Sequence, residues 1–383
     1  MKNKFQFGNV VTVSIAHLIH DVFSSFLAPV LPLLIAKLNI SYSMAGLLTI
    51  FQNLPSLINP IIGLLADKLP MRYLLIFAPA VTTISMSLIG ISDSYVFLVF
   101  LLLIAGVGAS LFHVPAPVMI KRISGNRLGK GMSFFMFGGE IARSVGPILI
   151  LSAVSFWGLE GSYRLMPIGL IATLILFFKF RNLPISSSFY KSKQDEKAVE
   201  SVRKFSPTFI KIAAIIFFTS LLKGALTTFL PTYITSAKDG SLWAAGISLS
   251  VLQLSGALGT FAAGTISDKI GRKNTLLIMA ITVPAFMFLF ISSSEIFAIP
   301  LLLLMGFFMF ATTPVLLAIV NDVDSEHPAL MNGIFMTINF LISSIAVVAV
   351  GFMGDFFGLE NAYFLSPLLG LLALPFILKL PSR

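Results

Sequence analysis

The chain alternates long apolar stretches with short polar ones. Twelve stretches are near or above the ~20 residues that a helix needs to span a hydrocarbon core: 8–36, 43–66, 72–91, 95–120, 131–156, 162–180, 207–236, 242–267, 274–293, 296–320, 331–354 and 361–380. The pattern predicts an all-α membrane protein with twelve transmembrane helices. Prolines inside the stretches (Pro29, Pro55, Pro60, Pro115, Pro147, Pro231 and Pro314) break a helical ladder but are tolerated in membrane helices. One long polar segment, 181–206, is rich in Ser, Lys and Glu and reads as a flexible cytoplasmic linker. An amphipathic helix lying on the membrane surface is its alternative reading.

Shifted by 200 residues, the chain matches itself. Phe156-Trp-Gly-Leu-Glu160-Gly-Ser-Tyr163 falls on Phe356-Phe-Gly-Leu-Glu360-Asn-Ala-Tyr363, and Phe135-Met136 on Phe335-Met336. With a slightly larger offset, Phe23 to Leu27 matches Leu226 to Leu230, and Gly63 to Lys68 matches Gly264 to Lys269. The repeat divides the chain into two pseudo-symmetric six-helix bundles, 1–180 and 207–383, joined by the linker. Parallel repeats of this kind place a substrate site at their interface near the bilayer midplane.

Composition and charge sharpen this picture. Hydrophobic residues make up 57% of the chain and charged ones only 11%, against ~25% in soluble domains. The absence of cysteine excludes disulfides, thiol catalysis and cysteine metal sites. A net charge of +10 would suggest nucleic acid for a soluble protein, but its placement follows topology instead. Of the 26 Lys and Arg, 21 fall on one side of the spans, three (Lys37, Arg164 and Lys238) on the other, and Arg143 and Lys223 inside spans. By the positive-inside rule this predicts a multi-pass protein of the cell membrane with both termini cytoplasmic. The first stretch, with Lys2 and Lys4 ahead of it and charges within it, reads as a retained span and not as a signal peptide. No nucleic-acid partner is expected.

The candidate chemistry lies in the polar residues that interrupt the spans. His17, Asp21 and Ser24 share one helical face of the first span, with His20 beside them. A charge at mid-bilayer costs on the order of 2.5–3.5 kcal/mol even on the mildest scale, so it needs a partner or a wet cavity. The intramembrane set is Asp21, Glu140, Arg143 and Lys223, with His17, His20 and His113. Glu140 and Arg143 stand at i and i+3 and can pair. Lys223 aligns with His20 across the repeat. Arg143 and Lys223, one from each half, are candidate anion-binding groups, with His20, Gln52 and Asn339 as further substrate contacts. Asp21 and Glu140 are candidate proton acceptors, with His113 as a relay near neutral pH. Two fixed ion pairs that only orient helices are the alternative. The His17, His20 and Asp21 group has no complete metal shell in the sequence, so neither metal nor cofactor is expected.

Gly264-Thr-Ile-Ser-Asp268-Lys-Ile-Gly271-Arg272-Lys273 is the loop signature of the major facilitator superfamily, and the first-half copy keeps Gly63, Asp67, Lys68 and Arg72 but carries Pro70-Met71. In that superfamily the motif belongs to the cytoplasmic gate, which implies gate roles for Asp67, Arg72, Asp268 and Arg272. Gly138-Gly139 to Gly146-Pro147 in span five resembles the antiporter signature, whereas Leu102 stands where the span-four antiporter pattern has Arg. His17-Leu-Ile-His-Asp21, Asp67-Lys-Leu-Pro70-Met71, Gly106 to His113 and Phe135 to Gly139 resemble the fosmidomycin resistance protein family of drug exporters. That family follows Phe-His with Pro-Glu and then an Arg, where this chain has Val114-Pro115-Ala116-Pro117.

These resemblances imply the major facilitator fold and a secondary-active exporter of small anionic or amphiphilic compounds, working as a monomer by proton antiport and alternating access. A proton-coupled importer of an organic anion is the alternative within the transporters. A membrane enzyme or sensor is the alternative outside them, and nucleotide loops, a Ser-His-Asp arrangement and a sizeable soluble domain are all lacking. No enzymatic activity is expected.

Overall fold

A computed structural model describes residues 5–59, 62, 71–125, 127–182, 197–322 and 328–380. They fall into two compact units, one drawn from Met1–Ile40 and Leu48–Lys191 and the other from Ser41–Leu47 and Ser192–Arg383. All regular elements among the described residues are helical, and eleven helical stretches are long and apolar enough to cross a membrane. The twelfth expected span, 43–66, runs into residues outside the described set.

The first unit contains α1 (Phe7–Ser24), α2 (Leu27–Leu38), α3 (Tyr42–Asn53, whose first turns belong to the second unit), α4 (Met71–Ser87), α5 (Tyr95–His113), α6 (Pro115–Ser124), α7 (Leu128–Trp157) and α8 (Met166–Phe180). The second contains α9 (Lys197–Gly224), α10 (Leu230–Ala237), α11 (Leu242–Ile270), α12 (Arg272–Ser292), α13 (Ala298–Phe310), α14 (Thr312–Asn321), α15 (Pro328–Phe357), α16 (Leu359–Gly370) and α17 (Leu374–Leu378). The polar segment expected as a linker is partly helical, because α9 starts at Lys197, among residues that favour helix such as Ala198, Glu200 and Arg203.

Single spans are broken where proline removes a donor. α1 and α2 form one span, interrupted four residues before Pro29, whose missing N–H leaves the Ser25 carbonyl without its helical partner. The repeat-related span breaks at a π turn, Ala225–Phe229, just before Pro231. The Tyr363 hydroxyl donates to the Ala225 carbonyl in that turn at 2.5 Å.

The repeat is visible in hydrogen bonds as well as in letters. Lys37 Nζ donates to the Gly90 carbonyl at 2.8 Å, and Lys238 Nζ to that of Ile291 at 2.7 Å. Ser41 and Ser241 accept from the backbone N–H of Met44 and Ala244 in the same way. Gly158 and Gly358 both turn the chain with positive φ, at 73° and 83°. Each unit has its own apolar core. One gathers Val10, Val13, Leu75, Phe112, Met119 and Phe135, and the other Ile212, Ile215, Leu276, Val315, Phe335 and Ile377.

Candidate functional site

α1 carries the polar cluster of the first unit to α4, α5 and α7. The close approach of α7 follows from its glycines. A Cβ on Gly139 would lie 2.5 Å from His17 Cε1, and one on Gly138 would lie 2.5 Å from the Ser14 carbonyl oxygen. With no side chain there, the imidazole of His17 stacks on Phe135 at a centroid distance of 4.0 Å, and His20 stacks on Phe112 at 4.7 Å.

Three imidazoles converge on one carboxylate. His17 Nε2 lies 3.2 Å from Asp21 Oδ2, while His20 Nδ1 and His113 Nε2 lie 2.9 and 3.3 Å from Asp21 Oδ1. His17 Nδ1 sits 2.7 Å from the Phe135 carbonyl, and His20 Nε2 sits 3.0 Å from Thr82 Oγ1. The side chains of His17, His20 and Asp21 are 6%, 0% and 10% exposed and that of His113 is 40%, so the cluster opens only on the His113 side. The buried carboxylate thus has the partners its depth requires. His17, Asp21 and His113 also bring one donor atom each within 4.8 Å of one another, a spacing that metals use.

Glu140 and Arg143 pair as their spacing predicted, with Nη1–Oε2 at 3.4 Å. Gln52 donates to the Ser24 carbonyl at 2.7 Å, bracing the end of α1. His20, expected as a substrate contact, is fully buried with both ring nitrogens engaged.

In the second unit, Lys223 and Asn339 line one small cavity of about 20 Å³ with Thr219, Ser220, Thr313 and Ser343. That is room for a single water. Lys223 Nζ stands 5.2 Å above the Phe310 ring. Ser24 and Thr227 each bond back to the carbonyl of His20 and Lys223, so the alignment of those two residues holds in the backbone pattern.

Of the expected gate residues, Asp67 lies outside the described residues. Arg72 is placed 5.1 Å from the Tyr73 ring. Asp268 pairs with Arg272 at 2.5 Å, and Arg272 Nε reaches Asp322 at 3.4 Å at the end of α14. Asp322 was missed by sequence reasoning, as were Thr82 and the Phe135 carbonyl. Of the three, only Asp322 carries a charge that a search for partners of Arg272 would have met.

A family model described as Major Facilitator Superfamily matches residues 13–347. The chain belongs to the Major Facilitator Superfamily. It is therefore a multi-pass membrane transporter, of a superfamily whose members are in general not enzymes. The fosmidomycin resistance protein of Escherichia coli (strain K12) is 24% identical over 379 residues, 97% of this chain and 93% of that protein. An uncharacterised MFS-type transporter of Bacillus subtilis (strain 168) is 21% identical, over 95% of this chain and 91% of that protein. Among solved structures, a bacterial homologue of the human lysosomal transporter Spinster aligns with a TM-score of 0.81 at 16% identity, covering 97% of this chain and 96% of that one. A nucleoside transporter aligns at 0.77 and 15% identity, covering 97% and 99%. These likenesses show the superfamily fold, twelve helices in two six-helix bundles. The histidine cluster then stands where the first span of a superfamily transporter meets the span that carries His113.

Proposed function

We propose that the chain is a secondary-active exporter of small anionic or amphiphilic compounds, driven by proton influx through alternating access. The observation that carries this reading is the Asp21 carboxylate, buried mid-span among three imidazoles and reached from the His113 side. Ionisable groups held at such depth mark ion or substrate paths. Asp21 and His113 take and pass the proton, with Glu140 as the second acid. Arg143, Lys223, Gln52 and Asn339 meet the substrate, and His20 supports Asp21 from behind. Asp67, Arg72, Asp268 and Arg272 serve the cytoplasmic gate. The skewed placement of Lys and Arg supports a cell-membrane protein with both termini cytoplasmic, and the chain works as a monomer.

The relative named for fosmidomycin resistance makes that compound the first to test. Purified protein in liposomes with an acidic lumen is expected to accumulate labelled fosmidomycin or a related organic anion, and a protonophore should abolish the accumulation. Accumulation driven only by an acidic exterior would make the chain an importer. Accumulation indifferent to either gradient would remove proton coupling.

A further inference from the structure

The hydrogen bonds around His17 carry a proton count. A carbonyl oxygen only accepts, so the 2.7 Å contact with Phe135 places a proton on His17 Nδ1. In a neutral imidazole the other nitrogen is then a bare lone pair. That nitrogen, Nε2, faces Asp21 Oδ2 at 3.2 Å, and an ionised carboxylate is also acceptor-only. Two lone pairs do not hold each other at this distance in a buried site. His20 does not resolve the conflict, because its two ring nitrogens face the other carboxylate oxygen at 2.9 Å and the Thr82 hydroxyl at 3.0 Å and neither reaches the Nε2–Oδ2 contact.

We propose that His17 and Asp21 together hold one exchangeable proton at the Nε2–Oδ2 contact, with His17 its carrier and the Phe135 carbonyl and Thr82–His20 as positioning groups. This rests on the proton-coupled reading above and adds His17 to it. The surroundings of the contact are sparse in other charges. α5 brings His113, at 3.3 Å from Oδ1, and α4 brings the Thr82 hydroxyl. α7 brings a carbonyl and the bare backbone of Gly139, while its Glu140 and Arg143 pair with each other. α8 reaches α1 through Lys179, which bonds Gly8 and Thr12 at the far end. Lys121 and Arg122 lie in the last turn of α6.

The pair exists as imidazolium with carboxylate, or as neutral imidazole with carboxylic acid. Both states carry the same proton. It leaves from the carboxylic acid form, when the carboxyl turns its O–H toward a lone pair on His113 Nε2, which stands 3.3 Å from Oδ1, and a neutral His17 imidazole is then left facing a carboxylate. Repulsion then turns His17 away, and turning it breaks the bond to Phe135. Proton loss is thereby tied to the fit of α1 against α7.

The chain has four histidines, so ring-nitrogen NMR of ¹⁵N-histidine-labelled full-length protein in bilayers resolves them individually, with His17→Asn for assignment. At pH 7.5 His17 is expected either with both nitrogens protonated, or as the Nδ1–H tautomer beside a protonated carboxyl seen by infrared spectroscopy. In Asp21→Asn the amide donates to Nε2, so His17 should become a neutral Nδ1–H imidazole and the chain should lose one bound proton. A neutral His17 beside an ionised carboxylate in the parent protein would overturn the proposal. So would one equivalent of copurified zinc on the cluster, or an imidazolium that persists in Asp21→Asn. The parent spectrum decides even if the variant does not fold. A proton found on the pair together with gradient-independent transport would sink the coupled reading and leave this inference standing.

Discussion

The two units use the same helical repeat to opposite chemical ends. In the first unit, α1, α5 and α7 place His17, His20, Asp21, His113, Gly139 and Arg143. The repeat-related positions of the second unit are Ser220, Lys223, Gly224, Thr313, Asn339 and Ser343. The acid has become glycine and two of the imidazoles hydroxyls, and Ser220 and Ser343 bond each other at 2.9 Å. What remains ionisable is one cation over an aromatic ring. On the reading proposed above, the repeat gives the first unit the carboxylate–imidazole cluster together with Arg143, and leaves the second unit the single cation Lys223 at these positions. Asp21 and Lys223 therefore probe the two proposed roles separately, whereas Arg143 stands beside Glu140 on one helix.

The strongest break in that comparison is Asp21→Asn. Proton-driven accumulation in liposomes should fall to the level of protein-free vesicles, while thermal stabilisation by a bound anion survives. If coupling persists, Asp21 is not the coupling acid. Lys223→Ala should do the reverse. Anion binding, read by isothermal calorimetry, should weaken about 10-fold or more, since a charged hydrogen bond is worth ~1.5–3 kcal/mol. Proton release on alkalinisation should stay unchanged.

Gly139→Ala tests the packing that makes the first cluster possible. Its Cβ would collide with His17, so stability should drop by about 1–3 kcal/mol, seen as a lower unfolding midpoint in detergent. Asn339→Ala at the related position should cost less. The smallest effect belongs to Thr82→Val, which removes one interhelical hydrogen bond worth about 0.6 kcal/mol. It should shift the His20 ring-nitrogen signal and barely move the melting curve.

Much of this was legible from the letters, for physical reasons. Spans announce themselves because a bilayer tolerates few charges, and the offset of 200 residues announced the repeat. The Glu140–Arg143 pair and the shared face of His17 and Asp21 follow from helical spacing alone. The rest depends on what helices meet. Thr82 is one hydroxyl among several in its span, and nothing local marks it as the partner of His20. The Phe135 carbonyl has no letter at all, yet it decides which nitrogen of His17 bears a proton. Lys223 showed its charge in the sequence but not its seat above Phe310.

The lone exposed member of the cluster, His113, has a consequence for leakage. A conductor needs two ends. Here His17, His20 and Asp21 are walled in by Phe112, Phe135 and the bare backbone of Gly139, and only one imidazole meets open space. On the proposed reading such an arrangement would act as a capacitor, charging and discharging through the same terminal. A carrier that trades protons for cargo fails if protons run through it unaccompanied, and a dead-ended store would leave the coupling to whatever opens that one terminal to either side of the membrane.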